Sequence, residues 1–201
     1  MIIGLAGPAG SGKSTISKYL SSKHNFYPIT FSDVLIEEAL KRKIIEKNFR
    51  KDDEKVKNIL SKFGKELRKE TGKEDILAIK IVEKIKRLGL KRVCVDGFRS
   101  KEEVEYFRKN FKDFYLISVK AEKEKRIERR KKLDPNFDIK DFEEREKRFE
   151  KDLREVLEMK DFEIENNSRL DNLYKKIDKL IEKINYGCNR SNEEKKVDKK
   201  L

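Results

Sequence analysis

The chain has 201 residues, a length that suits one domain able to bury its own hydrophobic core. It carries 52 Lys and Arg against 39 Asp and Glu, and the formal net charge of +13 favours anionic ligands such as nucleotides or RNA. Cys94 and Cys188 have no spaced companions and His24 is the single histidine, which excludes a disulfide framework, a cysteine zinc site and a histidine-ligated metal site.

The apolar run at the start of the chain, 1–6, does not fit a signal peptide. It is short, lacks a basic start and leads directly into a glycine-rich segment. No apolar run approaches the roughly 20 residues that a membrane-spanning helix requires. We therefore expect a cytoplasmic protein without a membrane segment, acting as a monomer or a small homo-oligomer.

Strand-like and helix-like segments alternate along the chain, which is typical of an α/β fold built around a parallel sheet. The pattern predicts five strands, at 2–6, 27–31, 92–96, 114–119 and 161–165. It predicts helices at 14–23, from 32 or 33 through 40, at 101–110, 122–132, 141–159 and 170–184, with a helical pattern throughout 43–91. The domain is expected to span 1–186, because 187–201 is almost devoid of apolar residues and reads as a basic, disordered tail.

A glycine-rich segment follows the first strand and fits the pattern GxxxxGK[ST], which binds phosphates when it connects a strand to a helix. Glycines let the backbone curl around a phosphate chain, and the positive end of the following helix adds to the attraction. Lys13 can reach the β- and γ-phosphates of ATP, and the Ser14 hydroxyl can bind Mg²⁺. The residues expected to hold the nucleotide are Gly7, Ala9, Gly10, Ser11, Gly12, Lys13, Ser14 and Thr15.

Between the second and third strands, 34–90 is too long for a simple crossover, so we expect a helical subdomain there. Two glycines, Gly64 and Gly72, interrupt its helix-forming sequence, which suggests a bend or the close approach of a ligand. Arg68 lies between them and is our candidate for binding an anionic acceptor. An exposed arginine paired with a nearby glutamate fits this position almost equally well.

Asp96 ends the third strand, 92–96, whose nearly unbroken apolar sequence favours a central, buried position in the sheet. In parallel α/β sheets, ligands bind beyond the carboxyl ends of the strands. We therefore expect Asp96 to face Lys13 and Ser14 and to hold Mg²⁺, as a Walker B carboxylate does. The alternative is an Asp that caps the following helix.

Two segments resemble those of nucleoside monophosphate kinases. Asp96-Gly97-Phe98-Arg99 resembles the Asp-Gly-Phe-Pro-Arg segment of adenylate kinase, although the proline is missing, and 30–35 resembles its Thr-Gly-Asp-Leu-Leu segment. Over about 1–184 the chain most resembles an archaeal group of P-loop nucleotide kinases described as dephospho-CoA-kinase-like. This resemblance implies a three-layer P-loop NTPase fold with a five-stranded parallel sheet, a helical acceptor-binding insertion at 34–90 and a helical lid at 122–159.

The same resemblance suggests roles on the acceptor side. Asp33 would lie beside the transferable phosphate, as a base or an orienting group, and Arg99 would contact the substrate. An N-cap Asp is the alternative for Asp33. Ile36 stands where adenylate kinases carry an arginine for the acceptor phosphate, which weakens the case for a nucleoside monophosphate.

Two highly charged helical arms flank the turn Asp134-Pro135-Asn136 and resemble the kinase lid, whose arginines close over the transferring phosphoryl group. Arg126 and Arg130 are the first candidates for this catalytic role, and Arg145 and Arg148 are the second. A solvated helical hairpin with Glu–Arg pairs is the alternative.

Asn166 begins a turn after the last strand. In related kinases, the backbone of the loop at this place shapes the adenine pocket, so Asn166 is expected to contact the nucleotide. A plain turn fits equally well. The sequence thus predicts an enzyme that uses ATP and Mg²⁺ to phosphorylate a small anionic acceptor, such as a nucleoside monophosphate or dephospho-CoA. The alternative is an RNA- or ribosome-associated P-loop NTPase switch. Nucleic acid is the less favoured partner.

Overall fold

A computed structural model describes 1–49 and 54–197, without the side chains of 54, 55, 57, 145, 148, 149 and 187–197. The strands are Ile2–Ala6 (β1), Tyr27–Thr30 (β2), Val93–Asp96 (β3), Phe114–Lys120 (β4) and Phe162–Glu165 (β5). The helices are Lys13–His24 (α1), Phe31–Lys41 (α2), Glu54–Thr71 (α3), Ile76–Arg87 (α4), Lys101–Asn110 (α5), Lys123–Leu133 (α6), Ile139–Glu158 (α7) and Leu170–Val197 (α8).

The five strands form one parallel sheet in the order β2-β3-β1-β4-β5, so the predicted sheet is confirmed. β1 is central and buried at every position, which its apolar sequence requires. Leu5 lies opposite Asp96 in the β1–β3 register. The glycine-rich segment and Asp96 therefore leave the sheet side by side at its carboxyl edge.

Helices cover both faces of the sheet and give the three predicted layers. One core cluster joins alternate β1 residues to α2, α3, α4, α5 and α7, and the other joins Ile3 and Leu5 to α1 and α8. Gly4 is required on the first face, since a Cβ there would lie 2.7 Å from the Phe98 ring and 2.9 Å from that of Phe114. The aromatic rings thus pack directly against the central strand.

Two predictions about 31–91 need correction. The side chain of Thr30, not Ser32 or Asp33, caps α2, because its hydroxyl accepts the Asp33 N–H at 2.9 Å. The helical pattern over 43–91 is also interrupted: α2 ends at Lys41 and α3 begins at Glu54. The buried side chains of α3 and α4 belong to the same core cluster as those of α2, α5 and α7, so these helices form part of the layer on that face of the sheet.

The C-terminal helix is longer than predicted. We expected it to end near 184 and the chain to be disordered from 187, yet α8 runs to Val197. Ile184 is its last buried residue among those with described side chains. Beyond it the sequence is rich in Lys and Glu, which favour helix without needing a partner surface, whereas our inference of disorder rested on low hydrophobicity. Within the described residues, no helix has the length and apolar character needed to cross a membrane.

Candidate functional site

The glycine-rich loop between β1 and α1 has a backbone that other residues could hardly adopt. Gly10 and Gly12 have φ of 78° and 103°, in the left-handed region. A Cβ on Gly12 would lie 2.2 Å from Asn166 Nδ2, and one on Gly10 would lie 2.8 Å from the Arg126 carbonyl oxygen. No side chain caps the start of α1. Its first N–H groups therefore point to the space inside the loop, where an anion can bind.

Lys13 lies across this loop. Its Nζ donates hydrogen bonds to the Gly7 and Pro8 carbonyl oxygens, at 2.8 and 3.1 Å. Burial lowers the pKa of Lys13, and the nearby Asp96 carboxylate works against this shift. The ammonium group is thus held by weak acceptors that a phosphate oxygen could replace.

Asp96 stands beside Lys13 and Ser14, as predicted. The Ser14 hydroxyl donates to Asp96 Oδ2 at 3.4 Å. Asp96 is 7% exposed, and its Oδ1 is buried without a hydrogen-bond partner among the described residues. Burial raises the pKa of Asp96, while Lys13 and Ser14 favour the ionised form. Such an unsatisfied carboxylate oxygen next to a hydroxyl group is what a hard cation, or its bound water, would satisfy.

These residues fit Mg²⁺ bound together with phosphates. The described residues contain no group of three or more His, Cys, Asp or Glu that could hold a metal ion alone. Mg²⁺ is typically held by one or two protein ligands together with substrate phosphates. Ser14 and Asp96 would provide those protein ligands.

Asn166 supports the loop from behind. It is 5% exposed, and its Nδ2 donates to the Ser11 carbonyl oxygen at 2.8 Å. The main-chain carbonyl oxygen of Asn166 accepts a hydrogen bond from Arg129 Nη2 at 2.8 Å. Arg129 Nη1 also donates to the Gly10 carbonyl oxygen at 3.3 Å. The side chain of Asn166 therefore holds the phosphate loop in shape, and a contribution of its turn to an adenine pocket stays a prediction.

Arg126 is also bound to the loop. It is 7% exposed, and its guanidinium donates to the carbonyl oxygens of Ala9 and Ala121, both at 3.2 Å. It also forms an ion pair with Glu146 and lies over the Phe142 ring. This differs from the predicted lid arginine, because almost all its donors are already satisfied at the base of α6.

A cleft of about 1040 Å³ opens beside the loop. One wall is formed by 7–9 and Lys13, another by 97–99, and Arg130 lies on its lid side. α7 contributes residues at helical spacing, namely Phe142, Glu146, Glu150, Leu153 and Leu157. Among the described residues, none between 14 and 96 lines this cleft.

The candidate acceptor residues therefore separate. Arg99 is exposed and lines the cleft together with Lys13. Asp33 does not line it, and neither does Arg68, which donates to the carbonyl oxygens of Gly64 and Glu74, at 3.1 and 3.2 Å. Arg68 thus takes the paired arrangement that was the alternative prediction. Two second-choice lid residues, 145 and 148, lie outside the described side chains.

Sequence reasoning missed Glu103, which is only 1% exposed and lies next to the site. Its Oε2 accepts the N–H groups of Arg99 and Ser100, at 2.8 and 3.3 Å, and the Ser100 hydroxyl accepts the Glu103 N–H at 3.3 Å. The signal was present, since Ser-x-x-Glu before a helix is the capping-box pattern. Burial raises the pKa of Glu103 to about 7.

A central parallel strand that leads into this loop, with Lys13 and Asp96 at the same sheet edge, defines a P-loop protein of kinase-like fold. Solved structures agree. Dephospho-CoA kinase from Campylobacter jejuni aligns with a TM-score of 0.54 at 21% identity, covering 92% of this chain and 98% of that one. Shikimate kinase from Aquifex aeolicus aligns with a TM-score of 0.52 at 19% identity, covering 93% and 99%. At such identities the likeness establishes the fold.

Sequence relatives give the family. A model described as an AAA domain matches residues 3–152. A UPF0200 protein from Pyrococcus horikoshii is 33% identical, with 92% of this chain and 97% of the relative covered. A UPF0200/UPF0201 protein from Archaeoglobus fulgidus is 34% identical over 91% of this chain, which spans 55% of that relative's length. The chain belongs to the UPF0200 family and carries an AAA domain.

Proposed function

We propose that this protein is an ATP-dependent phosphotransferase that moves the γ-phosphoryl group of ATP to a small acceptor, namely a nucleotide or a nucleotide-like molecule. One observation carries the proposal: the cleft of about 1040 Å³ begins at Lys13 and is walled by α7. A protein that only binds or hydrolyses a nucleotide has no need of a second chamber at its γ-phosphate. A transferase needs one to hold the acceptor and exclude water.

The division of work among the residues follows from phosphoryl transfer, which depends on positioning and charge neutralisation. The loop N–H groups and Lys13 would bind the phosphates. Ser14 and Asp96 would hold Mg²⁺, which neutralises phosphate charge when bound. Arg99 and Arg130 line the cleft and would bind the transferred phosphoryl group or an anionic group of the acceptor.

On this proposal the acceptor lies between the 97–99 segment and α7, instead of against the insertion at 34–90. The cleft lining supports this location. Asp33 and Arg68 would take part only after α2 and α3 move toward the loop. The acceptor itself, whether a nucleoside monophosphate or dephospho-CoA, is a matter for experiment.

The test is a screen of ATP consumption with nucleoside monophosphates and dephospho-CoA as acceptors, with hydrolysis in the absence of an acceptor as the baseline. We expect one acceptor class to stimulate turnover at least tenfold, and Lys13→Ala to lose it by roughly 100-fold or more. Lys18→Ala is the matched control, because Lys18 is exposed on the same helix. Wild-type turnover in Lys13→Ala would refute the proposal.

A second candidate is an RNA- or ribosome-associated NTPase switch, which the net charge of +13 favours. The same screen separates the two functions. Hydrolysis that no acceptor stimulates, but that structured RNA accelerates, would support the switch.

A further inference from the structure

The segment that carries Arg99 is fixed on three sides by the fold. Gly97, with φ of 108°, donates its N–H to the Leu5 carbonyl oxygen at 3.2 Å. Phe98 is 1% exposed and stacks edge-on against Phe31 and Phe107. The next two N–H groups, those of Arg99 and Ser100, both end on the Glu103 carboxylate. This part of the backbone therefore depends on one buried side chain.

The other oxygen of that carboxylate faces a different helix. Arg68 of α3 approaches Glu103 Oε1 with its Nη2 at 3.6 Å. Arg68 is itself anchored by the Gly64 and Glu74 carbonyl oxygens, so it cannot readily turn away. The carboxylate thus joins α3 to the segment that lines the cleft. An ordinary capping box does not need an arginine partner from another element, and Arg68 is only partly exposed here.

We propose that Glu103 is a positioning residue for the phosphoryl-transfer site: its ionised carboxylate holds the Arg99 main chain so that the Arg99 side chain faces the cleft, and Arg68 supports this from α3. The role in turnover rests on the proposed function, whereas the hold on the main chain does not. Glu103 touches neither the nucleotide loop nor Asp96, and it acts through Arg99.

Protonation offers a way to release the hold. The charged groups that act on Glu103 are the guanidiniums of Arg68 and Arg99, and both favour the ionised form, but burial outweighs them and the pKa rises to about 7. Below that pH the carboxyl group carries a proton. The ion pair with Arg68 is then lost and the bonds from the two N–H groups weaken. The Arg99 main chain should accordingly loosen as the pH falls through neutrality.

The decisive measurement follows the backbone amides of Arg99 and Ser100 by ¹H–¹⁵N NMR from pH 5 to pH 9. In the wild-type protein we expect both signals to shift together with a midpoint near pH 7. Glu103→Gln should abolish this midpoint. Arg68→Met should raise it by roughly one pH unit, because a favourable charge is removed. Glu105→Gln, at an exposed position of the same helix, should leave it unchanged.

Turnover supplies a second readout. We expect Glu103→Gln to lower kcat/KM for the acceptor roughly tenfold, with less than a twofold change in the Kd for ATP. Arg68→Met should move the acid limb of the kcat profile upward, and it serves should Glu103→Gln fold poorly. Amides that fail to titrate in the wild type would overturn the inference. Amides that titrate as expected in a protein without acceptor-stimulated turnover would refute the proposed function alone.

Discussion

In the described part of the protein, the buried charged and amide side chains lie around the phosphate site. Arg126 and Asn166 bind carbonyl oxygens of the glycine-rich loop from outside, and Glu103 binds the N–H groups beside Arg99. Among the charged side chains that the structure describes, only Asp96 keeps a buried oxygen without a hydrogen-bond partner. A buried polar group is costly unless it is hydrogen-bonded, so the unsatisfied carboxylate oxygen of Asp96 marks where a ligand belongs.

The two first-choice lid arginines should behave differently when removed. Arg126→Ala leaves Glu146 and the Ala9 carbonyl oxygen without their partner, and we expect a loss of about 2–3 kcal/mol in the free energy of unfolding. Arg130→Ala removes a cation from the cleft and should lower kcat roughly 100-fold with little effect on stability. Denaturant unfolding and turnover of both variants check this. Equal stability losses would contradict the assignment of Arg126 as a brace.

Glu103 should give stability a measurable pH dependence. Its pKa is raised from 4.5 to about 7 in the folded state, so the folded protein binds a proton that the unfolded chain has released. This group therefore lowers the free energy of unfolding as the pH rises from 4.5 to 7, by up to about 1.4 kcal/mol per pH unit. Glu103→Gln lacks this contribution. Urea unfolding at several pH values should show the free energy of unfolding of the variant rising relative to that of the wild type as the pH increases from 4.5 to 7. A difference that does not change with pH would argue against a raised pKa of Glu103.

At the scale of elements, the loop and its two supports form one unit. α1 begins where the loop ends, α6 binds the loop through Arg126 and Arg129, and the turn after β5 binds it through Asn166. The shape of the loop is therefore imposed by two segments that are distant from it in the chain. Its glycines fit because the supports leave no room for side chains.

Gly12→Ala tests this unit. The new Cβ would meet Asn166 Nδ2 and the residue would keep a φ of 103°, so we expect about 1–3 kcal/mol of destabilisation and a large loss of nucleotide affinity. Gly72→Ala is the matched control. Its φ is 64°, yet nothing lies within 4 Å of the added Cβ, so only the backbone strain remains. Calorimetric nucleotide titration should be unchanged for Gly72→Ala. An unaffected Gly12→Ala would show that Asn166 does not set the loop.

Sequence predicted those parts of the molecule that depend on neighbouring residues. The strands and most helices were located within a residue or two, because apolar runs and glycine punctuation are local signals. Lys13 and Asp96 were brought together by a topological rule, and the structure agrees, since the charge of each acts on the other. The paired arrangement of Arg68 was one of two alternatives, whereas the roles of Asn166 and Arg126 could not be predicted. Their partners are carbonyl oxygens and a carboxylate that no residue pattern encodes, and the Asn166–Ser11 bond joins residues 155 positions apart.

The end of α8 bears on the function of the whole molecule. Ile184 is the last buried residue with a described side chain, and 187–201 contains five basic and three acidic residues. Deleting 187–201 removes no described core contact, so the free energy of unfolding should change by less than about 0.5 kcal/mol. A phosphotransferase should keep its acceptor-stimulated turnover, because the cleft is lined elsewhere.

The same deletion weighs the RNA-dependent alternative. If the protein were a switch, losing basic residues from its end should weaken RNA binding and flatten its dependence on salt, since each phosphate contact contributes to the salt slope. We expect the deletion to leave turnover intact and to have no effect on the Kd for ATP. RNA affinity measured at several salt concentrations is the companion experiment. A truncated chain that loses both RNA affinity and nucleotide turnover would favour the switch. Only a switch couples RNA binding by the C-terminal segment to nucleotide turnover at the phosphate loop.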